Sequence, residues 1–448
     1  MKDNHSWPIN QKLPQTREAV PAKNTLSSYL PIRTKTNDFN MDVVVGSVLR
    51  SLLRKKIENY DYATFEEDCR AMFADKAVKD EFWQVLKEMY FDERDIFTVS
   101  PEFLLFHAQK SVIQTDARFA KLFTNLLQNE QIKPLDPSLT FIESEMLSTL
   151  RSKMKGEAAD TVREQPYLPF ISSAFREDLR FLASRPKYLL AEFEKFLSFY
   201  AFTYTAQLSL SIGGWRACAE PKAKPLYFIM DHERAGQERP HIKNDGYGAF
   251  SDASKKLFPM LSMLELLQTE EDGKKNSSPK RPLWQIARDI EASALQDAVK
   301  TKLENFATAF RSQRELRTEF FETDTALDWL GNIMQLAIDQ FEVGERLNIN
   351  KKYVAEVEKY LANHFVQSRG RAGRVMVLNQ DYVILLTNII IGERDKLRFH
   401  ELLSAFKQRG IFVDKQTEQE LVKFYERIGN VERMSDSGDA VYVRKTIR

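Results

Sequence analysis

The residues of this sequence whose types could do chemistry lie near its middle, directly after a short apolar run. Asp231, His232 and Glu233 follow LYFIM, and Lys243 comes shortly afterwards. Carboxylates at the end of a strand can hold a catalytic metal ion, and a nuclease site needs a further acidic residue and a lysine at workable spacing. A D-x-E pattern with a distant lysine occurs easily by chance. The pattern therefore leaves open a metal-dependent nuclease site or a polar surface turn, and it favours the turn.

His241 and Asp245 follow in the same region and raise the possibility of zinc. Zinc needs three or four convergent ligands, and the only two cysteines, Cys69 and Cys218, are isolated. The sequence has no P-loop, dinucleotide fingerprint, nucleophile elbow or paired Cys-His signature. It therefore predicts no metal and no cofactor, and it favours a chain that is not an enzyme.

Arginines are the other candidates for a functional role, and three of them lie in the glycine-punctuated segment SRGRAGR. Arg369, Arg371 and Arg374 on a flexible backbone could grip the phosphates of duplex DNA, or the segment could be a solvated connector. The net charge of the chain is only +1, so a nucleic-acid surface must come from local clustering. The further DNA-binding candidates are Lys396, Arg398, Lys423, Arg433 and Arg444.

The composition indicates the elements that must position these residues. Of 448 residues 43% are apolar and 29% are charged, and glycine and proline number only 16 each. Few backbone breakers over such a length predict a mainly α fold of two or three domains. The uncharged stretch 196–215 carries Ser, Thr, Tyr and Gln throughout, so it predicts a buried helix rather than a membrane span. The first residues lack a secretory signal, and the chain is expected in the cytoplasm.

Hydrophobic periodicity and breaks in composition predict a multi-helical body with a small module at its C-terminal end. Within that body, a long and almost wholly apolar helix is predicted from Pro186 to Leu210. The predicted divisions are an extended arm over 1–39, an N-terminal helical domain over 40–160, a central helical domain over 161–368 with a strand near 226–230 and a loop at 270–282, a basic linker over 369–380, and a winged-helix-like domain over 381–448.

The C-terminal segment has the element order of a winged helix. A helix, a short strand at KLRF, two helices and a hairpin at SDSGD follow one another, and Thr417 with Glu420 predicts a capping box for the third helix. On that helix Glu418, Glu420 and Glu426 outnumber Lys423 and Arg427, which is a poor match to phosphates, and the wing tip is acidic at Asp436 and Asp439. Protein contact and DNA binding remain equal alternatives for this module.

Two stretches resemble a known family. The run LLTNIIIGERDKLRFHELLSAFKQRGI followed by ERMSDSGDAVYVR, and the middle segment KPLYFIMDHERAG, are similar to DptG, a component of a bacterial DNA restriction system that depends on phosphorothioation. The specific resemblance covers the last 70 residues and the short middle piece. It carries over no catalytic residue.

The resemblance implies a role in antiviral defence beside two partners, a DptF-like subunit and a DptH-like subunit similar to ATP-driven DNA translocases. The three together would restrict DNA that lacks phosphorothioate marks. The leading hypothesis is therefore a non-catalytic subunit that assembles partners, with duplex DNA as a further candidate partner. A nuclease subunit using Asp231 and Glu233, and a winged-helix transcriptional regulator, are the alternatives.

Overall fold

A computed structural model describes residues 26–76, 80–109, 114–133, 136–159, 164–235, 239–268, 279–321, 323–434 and 440–447. The chain is mainly α, as its composition predicts. The α-helices are α1 Met41–Leu53, α2 Tyr62–Asp75, α3 Asp80–Leu86, α4 Gln114–Leu127, α5 Phe141–Lys153, α6 Pro169–Ala183, α7 Pro186–Ser211, α8 Pro240–Ile242, α9 Ala249–Leu266, α10 Leu283–Glu291, α11 Gln296–Gln313, α12 Ala326–Asp339, α13 Gly344–Leu361, α14 Gln380–Ile391, α15 Phe399–Gln408 and α16 Lys415–Arg427.

Shorter elements complete the described chain. The 3₁₀ helices are Asp95–Thr98, Pro101–Gln109, Ile212–Ala217 and Gly370–Ala372, and the π-helical turns are Lys87–Asp92 and Lys243–Gly248. The strands are β1 Lys55–Lys56, β2 Lys155–Gly156, β3 Ile229–Met230, β4 Val366–Ser368, β5 Arg374–Leu378, β6 Lys396–Arg398, β7 Val431–Met434 and β8 Ala440–Arg444.

Helix α7 lies at the centre of the molecule. Its second half, from Phe199 to Ser209, is buried on every side, which confirms the buried helix that the sequence predicts. Pro186 occupies its first turn, where a missing backbone N–H costs nothing. Most of the buried apolar side chains form one continuous cluster that reaches from Leu26 to Val443. Among the described residues, no helix combines the length and the apolarity needed to cross a membrane.

Residues 26–39, the described part of the predicted arm, pack into this core instead of extending into solvent. Leu26, Tyr29, Leu30 and Ile32 are almost fully buried, because an irregular segment can bury apolar side chains without helical periodicity. Residues 1–25 lie outside the described chain, as do 270–278 of the predicted loop at 270–282 and the wing tip with Asp436 and Asp439.

A mixed three-stranded sheet has the order β3-β5-β4. Strand β3 pairs in parallel with β5, and β4 pairs with β5 as an antiparallel hairpin. Residues 374–378, part of the predicted basic linker, therefore form the middle strand. Val375, Met376, Val377 and Leu378 are buried there, because this apolar run pairs with β4 just before it and with β3, which is distant in sequence.

The C-terminal elements follow the order that the sequence predicts: α14, β6, α15, α16 and then the β7–β8 hairpin, in an antiparallel sheet of order β6-β8-β7. The predicted cap of α16 is wrong. The N-cap is Asp414, whose carboxylate accepts the backbone N–H of Thr417 at 2.9 Å. Thr417 is buried inside the helix, because an aspartate three residues earlier is an equally good cap and starts the helix sooner.

Helix α1 lies against the 3₁₀ helix Pro101–Gln109 at Gly46. A Cβ at Gly46 would lie 2.7 Å from the backbone nitrogen of Ala108 and 2.8 Å from the carbonyl oxygen of Leu104. Both atoms belong to the backbone, so neither can move away from the added Cβ without shifting the backbone itself.

We expect Gly46→Ala to lower the free energy of unfolding. Overpacking costs about 1–3 kcal/mol, and alanine recovers about 1 kcal/mol of helix propensity, so the expected net loss is up to about 2 kcal/mol. Gly213→Ala is the control, since nothing lies within 4 Å of a Cβ at that position. Urea unfolding of the full chain measures both, and equal stability of the two variants would refute the close approach.

Candidate functional site

The residues singled out in the sequence lie at the end of β3. Pairing with β5 continues one residue past the strand, where the backbone N–H of Asp231 donates to the carbonyl oxygen of Leu378 at 3.2 Å. The chain then turns, and Glu233 closes the turn by accepting the backbone N–H of Met230 on Oε1 at 2.7 Å. One carboxylate oxygen of Glu233 is thus used to end the strand.

The other oxygen of Glu233 belongs to a buried network with α16. Arg239 donates from Nη1 to Glu233 Oε2 at 2.8 Å, and the hydroxyl of Thr417 donates to the same oxygen at 3.1 Å. Arg239 also donates two hydrogen bonds to the carboxylate of Asp414, at 2.6 and 2.8 Å. The side chains of Glu233 and Arg239 are 2% and 4% exposed. Glu233 therefore fastens the strand end to the N-terminus of α16 rather than facing a ligand.

Electrostatics reinforce this network, which we call the β3–α16 clamp (Glu233, Arg239, Asp414 and Thr417). Burial alone raises the pKa of Asp414, but its hydrogen bonds with Arg239 and the backbone of Thr417 outweigh burial and lower that pKa overall. Burial likewise lowers the pKa of Arg239, and the hydrogen bonds with Asp414 and Glu233 more than offset it. Both groups are therefore held in their charged forms.

The remaining members of the proposed metal site do not join Glu233. Lys243 is exposed on the π-helical turn Lys243–Gly248, and in the described chain it forms no ion pair with Asp231 or Glu233. His241 binds Asp245 at 2.6 Å on the surface. Within the described ranges, no group of three or more His, Cys, Asp and Glu side chains is placed to hold a metal ion.

Asp231 and Arg369 meet beside the clamp. Arg369 donates from Nη2 to the backbone carbonyl of Asp231, so it ties the β4–β5 hairpin to the end of β3. Asp231 Oδ1 lies 3.5 Å from Nδ1 of His232, whose Nε2 lies 3.6 Å from Oε2 of Glu420 on α16. The backbone of Asp231 and the ring of His232 therefore contact other parts of the same chain, while Asp231 Oδ1 is buried without a hydrogen-bond partner among the described residues.

The arginine segment is also bound internally. Arg374 forms an ion pair with Glu358 and donates to the hydroxyl of Tyr247 at 2.9 Å, with its guanidinium 4.7 Å above that ring. Arg371 lies in the 3₁₀ turn Gly370–Ala372, and its side chain is outside the described part of the chain. Two of the three arginines proposed to grip phosphate thus contact protein groups.

Most basic side chains proposed for DNA binding in the C-terminal module are paired with acids. Glu432 binds Lys396 at 2.8 Å and Arg444 through its Nε at 2.9 Å, and both contacts lower the pKa of Glu432. Arg398 donates to the hydroxyl of Tyr442 at 3.0 Å. Arg433 binds Glu426, and Lys423 binds Glu420 at 2.8 Å. This pairing lowers the positive potential that a DNA surface requires.

A charge-neutralising change tests whether these cations can reach phosphate. We expect Glu432→Gln to release Lys396 and Arg444 and to steepen the salt dependence of duplex-DNA binding by about 1 to 2 in log–log slope. Glu304→Gln on α11 is the control, because it removes the same charge at an exposed position without an ion pair in the described chain. Fluorescence anisotropy over a salt series measures both, and equal slopes would show that these cations do not contact DNA.

A second buried ion pair holds the C-terminal elements to the body. Arg409 at the end of α15 donates from Nε to Oδ2 of Asp178 on α6 at 2.7 Å, and the side chains are 5% and 0% exposed. Burial lowers the pKa of Arg409, but attraction to Asp178 outweighs it, so the arginine stays charged. Tyr200 of α7 donates its hydroxyl to the same carboxylate.

Sequence reasoning missed Arg239, Asp414, Asp178 and Arg409. One signal was available for Asp178, which interrupts the apolar face of α6 and therefore needs a buried partner. Asp414 also had a signal, since it stands three residues before Thr417 as a cap residue should. Nothing local marks Arg239 or Arg409 as their partners.

Comparison with known proteins adds no further assignment. A scan against protein-family models and a search of curated proteins each found no match.

Proposed function

We propose that this protein is a non-catalytic subunit of a bacterial DNA restriction complex that acts in phage defence on DNA lacking phosphorothioate marks. Its partners are a DptF-like subunit and a DptH-like translocase or ATPase. The protein organises these partners, and it works in the cytoplasm.

One observation carries the non-catalytic part of this proposal. Glu233, one of the two carboxylates of the candidate metal site, uses both oxygens inside the chain, one with the backbone of Met230 and one with Arg239 and Thr417. A metal-binding carboxylate needs at least one oxygen free to face the ion. This geometry therefore removes Glu233 as a metal ligand of the nuclease alternative.

The position of α16 supports assembly over sequence reading. In a winged-helix or helix-turn-helix reader, the N-terminal residues of the recognition helix enter the major groove. Here the first turn of α16 is fastened to the body by Arg239, with Thr417 buried. A transcriptional regulator would need this end free, so we assign the winged-helix-like module to protein contact.

The resemblance of the last 70 residues and of the segment KPLYFIMDHERAG to DptG supports the identity of the partners. Those two stretches meet in space, since Phe228 of the middle segment donates its backbone N–H to the carbonyl of Phe412 at 2.8 Å. Duplex DNA remains a candidate partner. The free thiols of Cys69 and Cys218 are consistent with a reducing cytoplasm.

Co-expression of the tagged full-length chain with the DptF-like and DptH-like subunits tests this proposal. We expect one complex that survives gel filtration and restricts unmodified phage DNA, while the chain alone cleaves no duplex with Mg²⁺ or Mn²⁺. A chain that binds neither subunit would refute the assembly role. Metal-dependent cleavage abolished by Asp231→Ala would instead establish the nuclease.

A further inference from the structure

An exposed apolar stripe lies on the helix formed by α3 and the π-helical turn that continues it. Phe82, Val85 and Met89 are 46%, 50% and 45% exposed and recur at the spacing that puts them on one face. The opposite face is anchored, with Trp83, Leu86 and Phe91 nearly fully buried. A helix that buries one apolar face and exposes a second apolar face to solvent is typical of a binding surface.

The surroundings of the stripe are strongly acidic. Residues 80–95 contain six acids, Asp80, Glu81, Glu88, Asp92, Glu93 and Asp95, against two bases, Lys87 and Arg94. Lys87 forms an ion pair with Glu66 and is also attracted by Asp92. Asp80 lies 3.6 Å from the exposed Arg70. In the described chain no ion pair involves Glu81, Glu88 or Glu93, so the stripe lies beside an excess of negative charge.

The neighbouring helix adds a further exposed apolar side chain. Phe141 is 67% exposed at the start of α5, two residues before Glu143, whose carboxylate lies 3.4 Å from the hydroxyl of Tyr90. The ring of Phe141 is approached at 5.1 Å by Nζ of Lys76, so this surface already binds one cation of its own chain. Phenylalanine and methionine are residue types enriched in protein interfaces.

We propose that Phe82, Val85 and Met89 form the docking surface for a basic amphipathic helix of a partner protein. Apolar residues of that helix would cover the stripe, and its lysines or arginines would face Glu81, Glu88 and Asp92. This charge pattern excludes an acidic peptide or a nucleic acid as the occupant, because each would meet like charge. The inference adds a partner surface to the proposed function, yet it depends only on the chemistry of this helix.

Site-specific photo-crosslinking in cells that express the full chain with its neighbouring genes tests the surface. Benzoylphenylalanine replaces Phe82 in one variant and Phe321, which is 64% exposed elsewhere, in the matched control. We expect ultraviolet light to join position 82, and not position 321, to a partner peptide that mass spectrometry identifies as basic and amphipathic. Both positions are exposed, so neither replacement should disturb folding.

Charge reversal at Glu81 and Glu88 to lysine, in the position 82 variant, should lower the crosslinking yield about tenfold, because lysines of the partner would then meet like charge. No crosslink above that at position 321, an acidic or neutral crosslinked peptide, or crosslinking to a second copy of this chain would overturn the surface. A basic peptide from a protein other than the DptF-like and DptH-like subunits would support the surface and refute the proposed partners.

Discussion

Asp178→Asn is expected to lower the free energy of unfolding by about 3–5 kcal/mol, because it leaves the charge of Arg409 buried without a counter-charge. Asparagine keeps the size of the side chain and one acceptor oxygen, so packing changes little. The loss of folding stability therefore measures the cost of leaving the charge of Arg409 unpaired. The side chain of Arg409 is only 5% exposed. Chemical denaturation of the full chain measures the loss.

A second substitution separates this electrostatic effect from simple damage to the core. Adding Arg409→Met to Asp178→Asn removes the uncompensated charge, so the double variant should be more stable than Asp178→Asn alone. Asp252→Asn is the matched surface control. Its ion pair with Lys255 has side chains 77% and 61% exposed, and such pairs contribute about 0–1 kcal/mol. Additive losses at positions 178 and 409 would show that the pair is not coupled.

Local patterns predicted the central helix and the order of the C-terminal elements because the causes of both are local. The central helix α7 follows from a proline at its start and an apolar composition on all faces. The C-terminal order of elements follows from glycines at 392, 410 and 429, which take positive φ values after α14, α15 and α16. At each of these places the deciding interaction lies within a few residues.

Interactions between distant residues account for what the sequence did not predict. Arg374 was expected in a flexible linker, but β3 supplies a parallel partner for the strand that Arg374 begins. Glu233 was a candidate metal ligand until Arg239 and Asp414 placed it in a buried network. Asp414 lies far along the chain from Glu233, and no spacing rule links two such residues. The same limit applies to Arg409 and Asp178.

Glu233→Gln is expected to weaken the β3–α16 clamp by about 1.5–3 kcal/mol, since it removes a charged hydrogen-bond acceptor of Arg239 and Thr417 while Asp414 still pairs with Arg239. The loss should appear first in α16, because the clamp holds its N-terminal turn. Hydrogen exchange of the backbone amides in α16 measures it, with α7 as the internal reference. Unchanged protection of α16 would show that the clamp contributes nothing to docking.

A fall in pH should also destabilise the β3–α16 clamp. The pKa of Asp414 is lower in the folded chain, so at acidic pH the unfolded chain binds the additional proton. The stabilisation is therefore complete above the ordinary aspartate pKa of about 4 and is lost as the pH falls through the lowered folded value. Asp414→Asn should remove this part of the pH dependence, and a pH series of exchange rates in α16 checks it. A variant that keeps the full acid response would place its origin in other carboxyl groups.

Two substitutions of one residue, Glu233→Gln and Glu233→Ala, distinguish a structural glutamate from a catalytic one. Glutamine keeps an acceptor for the backbone N–H of Met230, and alanine keeps none. If Glu233 is structural, Glu233→Gln should therefore lose less of the protection of α16 than Glu233→Ala, and restriction by the assembled complex should follow the same order. A catalytic glutamate cannot be replaced in this way, because activity would be lost in both variants however well α16 is held. Loss of activity in both variants while Glu233→Gln keeps α16 protected would return Asp231 and Glu233 to the active site of a nuclease.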